Sequence, residues 1–259
     1  MAETVRVTRD GRGVATLWLA RAEKHNALSA AMIGEITAAA RALGTDPEVR
    51  VVVLAAEGAS FCAGGDLGWM RAQMAADAAT RGAEARRLAE MLRALNELPK
   101  PLIGRVQGNA FGGGVGMVSV CDVAVGTDGL KMGLTETRLG LIPATIGPYV
   151  VARMGEAMAR RVFFSARLFG AEEAVRFGLL ARAVPDAELD AAVEAEVAPY
   201  LACAPGAVAE AKALVRRLGP RIDDAVIDMT IDALVRVWEG DEAPEGIAAF
   251  FEKRSASWT

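Results

Sequence analysis

Hydrophobic positions form short β-rich runs early in the chain and helical spacing toward its end. Val14-Ala15-Thr16-Leu17-Trp18-Leu19 is such a run, and Asp10-Gly11-Arg12-Gly13 before it has turn chemistry, so the chain is expected to open on a hairpin. Met32, Ile33, Ile36, Ala40 and Leu43 then recur at helical spacing, with Ser29 placed to cap them. Val51-Val52-Val53-Leu54-Ala55 is short and β-branched, as in a strand covered on both faces. From Glu57 to Leu67 the residues are those of a loop. Helical patterning resumes through Trp69 and Met70 and again from about Arg81 to Leu98, where Lys100-Pro101 interrupts it. Leu102 to Val106 reads as a strand, followed by Gly108 and Gly112-Gly113-Gly114. A buried helix is expected from that triple glycine to Cys121-Asp122, before the strand Val123-Ala124-Val125.

After Ala187 the pattern is almost wholly helical, over about 187–202, 206–218, 221–238 and 243–253, with Pro205, Gly219-Pro220 and Pro244 as breaks. The change suggests a strand-and-helix core, residues 1–195, and a helical region, 196–259, suited to subunit packing.

The 259 residues are 53% hydrophobic, 24% charged and 5% aromatic, the composition of a soluble Ala/Val/Leu-rich α/β protein. Against 29 basic residues stand 33 acidic ones, a net charge of -4, which is the wrong sign for a protein devoted to nucleic acid. Cys62, Cys121 and Cys203 lie far apart, without the spacing of a zinc site or redox pair. No stretch reads as a signal peptide or membrane span. The expectation is a cytoplasmic protein without a metal, a nucleic-acid partner or a membrane partner.

Strand, glycine loop and helix follow one another twice, at Leu54 to Trp69 and at Leu102 to Cys121, and each loop can present backbone N–H groups unobstructed. Phosphate is one candidate for such donors, but no Lys-Ser/Thr follows the triple glycine and no G-x-G-x-x-G run occurs. A thioester carbonyl that becomes an enolate fits better, because two fixed donors stabilise charge that appears in the transition state. A tight turn or close helix packing is the alternative for either loop taken singly. Glu136, set among apolar residues before Pro143, is a candidate acid/base with a raised pKa, or else a solvated or Arg-paired glutamate. His25 is the only histidine and no G-x-S-x-G elbow is present, which argues against serine hydrolysis.

Taken together, Phe61-Cys62-Ala63-Gly64-Gly65-Asp66-Leu67 resembles the F-x-A-G-x-D-[LI] loop of the enoyl-CoA hydratase/isomerase (crotonase) family. Val106 to Gly114 resembles its second glycine loop, with Gln107 in place of an asparagine. Leu134-Thr135-Glu136, Leu139 to Pro143, Ala22 to Leu28 and Phe250 to Arg254 extend the likeness over essentially the whole chain. The resemblance implies a spiral of repeated ββα units with a helical C-terminal trimerisation region, in a homotrimer or hexamer. It implies acyl-CoA as substrate and no separate cofactor, coenzyme A being part of that substrate. It assigns Gly65 and Gly113 to the thioester oxygen and Glu136 to catalysis. Lys24, Ala27, Ala63, Asp66, Leu67, Gly116, Phe251 and Lys253 join the two glycines among the acyl-CoA contacts.

One position departs from the pattern. Two-glutamate hydratases carry a second glutamate two residues after the triple glycine, where this chain has Gly116. Hydration of an α,β-unsaturated acyl-CoA remains the leading expectation. A double-bond shift through Glu136 alone, or acyl-CoA binding without turnover, is the alternative. Asp66 to Arg71 and Ile146 to Val150 resemble most the branch that handles branched glutaconyl thioesters, whose acidic tail would seek a cation such as Arg71 or Arg138.

Overall fold

A computed structural model describes residues 3–259. The chain opens on the expected antiparallel hairpin, β1 (Val5–Arg9) against β2 (Val14–Leu19). Helix α1 (Ala30–Thr45) follows, with the Ser29 hydroxyl accepting from the Met32 N–H and Met32, Ile33, Ile36, Ala40 and Leu43 buried as the spacing predicts. The chain then winds three times through one unit. In the first turn β3 (Val51–Ala56) leads to β4 (Ser60–Cys62) and two helices, α2 (Leu67–Ala75) and α3 (Ala78–Asn96). In the second, β5 (Leu102–Val106) leads to β6 (Asn109–Phe111) and α4 (Gly113–Ser119). In the third, β7 (Val123–Thr127) leads to β8 (Lys131–Gly133), a 3₁₀ turn at Glu136–Leu139, and α5 (Gly147–Met154) and α6 (Glu156–Phe163). Short elements β9 (Leu168–Gly170), α7 (Ala171–Arg176) and β10 (Arg182–Val184) close the spiral.

Each turn gives its first strand to one sheet and its second to another. The larger sheet runs β1-β2-β3-β5-β7-β10, parallel except for β1, and the smaller runs β4-β6-β8-β9 with only β9 antiparallel. The second sheet comes from three-residue strands, β4 and β6 of them inside the glycine loops, too short to show a hydrophobic period. Both loops therefore leave the smaller sheet side by side.

All six residues of β3 are buried, because the larger sheet is covered on both faces. One face packs on α1, α3 and α4. Val14, Val51, Val53, Ala55, Ile103 and Val125 on the other meet Leu189, Val193 and Val197 of α8 (Leu189–Leu201). The expected boundary at 195/196 thus falls inside a helix of the core. Helices α9 (Pro205–Leu218), α10 (Asp224–Trp238) and α11 (Glu242–Glu252) complete the chain. Ile227 and Ile231 of α10 pack on Ala85 and Ala89 of α3, and α11 packs on the 3₁₀ turn that begins with Glu136. Helix α9 buries no residue, but Lys212 pins it to the core by donating to Asp122 Oδ2 at 2.7 Å and to the Lys100 carbonyl at 3.0 Å. Asp122 orders the turn between α4 and β7, its Oδ2 also accepting the Leu102 N–H.

Candidate active site

Leu28 holds the two glycine loops in register. Its N–H donates to the Gly64 carbonyl at 2.8 Å, and its carbonyl accepts the Asp66 N–H at 3.0 Å, forming a parallel bridge opposite Gly65. Such a bridge uses the groups flanking Gly65, so the N–H of Gly65 itself faces away from Leu28. The Leu28 side chain reaches the other loop: its Cδ1 lies 2.5 Å from where a Cβ on Gly113 would stand, so a side chain there would have to displace it. Gly113 is the first residue of α4, and its N–H has no carbonyl one helical turn back.

Glu136 begins the 3₁₀ turn after β8. Its Oε1 lies 2.9 Å from the Cβ position of Gly112, whose φ of 48° also favours glycine. Oε2 is buried, with no hydrogen-bond partner among the described residues. Burial strips water from the ionised form and pushes the carboxyl up to about 7, partly offset by its own backbone amide. Near neutral pH such a group both accepts and returns a proton. Helix α11 fixes the turn from behind, where Leu141, Trp238, Ala243 and Ile247 form one apolar cluster. Gly246 approaches so closely that a Cβ on it would stand 2.5 Å from the Leu139 carbonyl carbon.

The segment before α1 anchors the first loop. Buried Asn26 donates through Nδ2 to the Glu57 and Ser60 carbonyls, and its Oδ1 accepts the Arg21 N–H. The His25 carbonyl accepts the Ala63 N–H at 3.0 Å. Asp66 caps α2 by accepting the Gly68 and Trp69 N–H groups, and pairs with Arg21 at 2.9 Å. Burial opposes its ionisation, but the Trp69 amide and Arg21 outweigh that and hold its carboxyl below the ordinary value. Asp66 therefore shapes the loop. Arg21 and Asn26 carry this anchoring, which the pattern of the sequence did not single out beyond the Ala22 to Leu28 motif.

The remaining candidates spread outward. Lys24 is exposed on a short 3₁₀ turn, Ala27 is buried, and Ala63 and Leu67 are exposed on the first loop and the start of α2. Phe251 is half-buried near the end of α11, with the Arg71 guanidinium 4.4 Å above its ring, and Lys253 caps α11 in a left-handed conformation. Gly116 lies on α4, the helix that the second glycine loop opens. The space that a side chain would take there is filled, because a Cβ on it would stand 2.7 Å from Ile146 Cγ2 and 3.6 Å from Leu92 Cδ1. A side chain at Gly116 would thus meet Ile146 first. Among the described residues no cluster of three or more His, Cys, Asp or Glu could hold a metal ion, and no helix is long and apolar enough to cross a membrane.

The family model for enoyl-CoA hydratase/isomerase matches residues 9–259. The chain belongs to the enoyl-CoA hydratase/isomerase family. A crotonyl-CoA hydratase of Syntrophomonas wolfei is 31% identical over 95% of this chain and 94% of its own length. The mitochondrial methylglutaconyl-CoA hydratase of Mus musculus is also 31% identical, over 95% of this chain and 79% of its own. Among solved structures, an enoyl-CoA hydratase from Mycobacterium avium superposes with a TM-score of 0.86, at 33% identity and full coverage of both chains. The spiral of ββα turns is the crotonase fold, and the protein is an enzyme of acyl-CoA metabolism.

Proposed function

We propose that the enzyme reversibly hydrates an α,β-unsaturated acyl-CoA, with Gly65 and Gly113 as thioester-oxygen donors and Glu136 as its single acid/base. The observation that carries this reading is the partnerless Glu136 oxygen, buried beside the triple glycine on a carboxyl poised near neutrality. One carboxylate suffices for the proton traffic. Ionised Glu136 takes a proton from water as the water oxygen bonds to Cβ, and the double-bond electrons move to the thioester oxygen between the two N–H donors. The carboxylic acid so formed then gives the same proton to Cα as the carbonyl re-forms. Water is added, and Glu136 ends as it began.

Lys24, Ala27, Ala63 and Leu67 are proposed to line the CoA moiety, with Phe251 and Lys253 contributing from the C-terminal end. The narrower proposal is a branched glutaconyl-type thioester. Arg71 supports it as an exposed cation on α2 whose guanidinium lies over the face of Phe251. The mouse relative's name points the same way. Gly116, packed against Ile146, favours a second reading, a double-bond shift in which Glu136 moves a proton from Cγ to Cα.

A panel of enoyl-CoA thioesters, followed by loss of conjugated absorbance and by product mass, tests the proposal. Hydration raises the mass by one water. A double-bond shift leaves it unchanged, and absence of any product with bound acyl-CoA would mark a binding protein.

A further inference from the structure

Helix α2 lays an indole against one of the two thioester-oxygen glycines. Trp69 Cε3 and Cζ3 lie 3.7 and 3.8 Å from where a Cβ on Gly65 would stand. The ring is tethered at its far edge. Its Nε1–H donates to Glu84 Oε2 on α3 at 3.1 Å, and Glu84 Oε1 accepts from Arg87 at 2.9 Å. Arg87 in turn donates to the Ala30 carbonyl at 3.0 Å. Ala30 opens α1 two residues after Leu28, whose backbone grips Gly64 and Asp66. A closed circuit of contacts thus runs from one side of Gly65, through three helices, back to the other.

The rest of α2 is thinly held. Only Met70 and Gln73 of its nine residues are buried, and Trp69 is half-buried. Packing alone would leave a half-buried ring several orientations on such a helix. A hydrogen bond to a carboxylate that is itself braced by an arginine selects one of them.

We propose that Trp69 is a specificity-determining residue, an acyl-facing wall beside the Gly65 donor, and that Glu84 and Arg87 are positioning residues that fix the plane of its ring. The inference rests on Gly65 as a thioester-oxygen donor. A flat apolar face accepts the planar carbons of an enoyl thioester and crowds added branches. Hydrophobic pockets separate ligands that differ by one methyl group by roughly 10- to 200-fold.

The test compares the wild type with Trp69→Ala, Trp69→Phe, Glu84→Leu and Glu84→Gln. Calorimetry gives Kd for butyryl-CoA, isovaleryl-CoA and CoA itself, and kinetics give kcat/KM for crotonyl-CoA and β-methylcrotonyl-CoA. Trp69→Ala is expected to raise the branched-over-straight ratio, taken as 1/Kd in calorimetry and as kcat/KM in kinetics, on the order of 10-fold in both, with Kd for CoA unchanged. Trp69→Phe and Glu84→Leu should move the ratio the same way but less. Glu84→Gln should fall between Glu84→Leu and the wild type, since its amide oxygen still accepts the indole N–H while its NH2 group cannot accept from Arg87. An unchanged ratio in folded Trp69→Ala overturns the proposal, as does an equal loss for both thioesters and CoA. Should Trp69→Ala not fold, the ratios of Trp69→Phe and Glu84→Leu decide in its place. Failure of the hydration reading shows separately, as acyl-CoA binding without product, and the calorimetric ratio then judges Trp69 by itself.

Discussion

Ile146 stands where a side chain on Gly116 would have to go, with Cγ2 2.7 Å from that Cβ position. The contact at Gly116 is apolar, with Leu92 Cδ1 also 3.6 Å from the same position. Ile146 is itself buried, so it has little freedom to withdraw.

Gly116→Glu alone is therefore expected to fail as a gain of function. Overpacking a filled site costs about 1–3 kcal/mol, and an unpaired buried carboxylate adds to that. The melting temperature should fall and turnover of crotonyl-CoA should drop. Gly116→Glu with Ile146→Ala removes the nearest obstruction and should recover both relative to the single variant. A single variant as stable and as active as the wild type would show that Ile146 yields readily.

Glu136→Gln keeps the shape of the side chain and removes its proton transfer. Turnover should fall on the order of 100- to 10,000-fold while Kd for a saturated acyl-CoA changes little. In the wild type, kcat/KM should decline as pH falls through about 7, because the ionised form takes the proton from water. A profile flat from pH 5.5 to 8.5, or undiminished turnover by the variant, would remove Glu136 from the mechanism.

The same carboxyl should weaken the fold. Its folded pKa of about 7 lies above the unfolded value near 4.5, so the unfolded state releases the proton first as pH rises. The penalty is absent below about pH 4.5, grows between there and pH 7, and is then constant, at on the order of 3 kcal/mol. Glu136→Gln should accordingly melt several degrees higher than the wild type at pH 8 and near the wild type at pH 4.5. Equal melting temperatures at pH 8 would mean that water reaches the carboxylate.

Much of this was readable from residue order because it depends on local chemistry. The long elements announced themselves through uninterrupted apolar spacing, as in Val51 to Ala55 and in Met32 to Leu43. The glycine loops and Glu136 stood out through residue type. The second sheet was not readable, since β4, β6, β8 and β9 are three residues each and exist only because the spiral brings them together. Ile146 against Gly116 is a contact between different turns, so no spacing in the sequence encodes it. The division at 195/196 fell within α8, because Leu189, Val193 and Val197 have ordinary helical spacing and only the structure reveals the sheet beneath them.

Helix α9 carries the last prediction. Leu214, Val215 and Leu218 are 50%, 69% and 79% exposed, and with helical separations of three and four they form one stripe. Met229 on α10 is 60% exposed. The stripe is not a loose end, since the Lys212–Asp122 pair fixes α9 to the core. An apolar surface held rigidly in place suits a subunit contact, and burying each such side chain contributes about 1.5–3 kcal/mol. Light scattering at micromolar concentration is expected to give a trimer or hexamer, and Val215→Glu with Leu218→Glu to give smaller species that remain folded. A monomeric wild type would remove the oligomer from this account, whereas an oligomer indifferent to both substitutions would move its interface off α9.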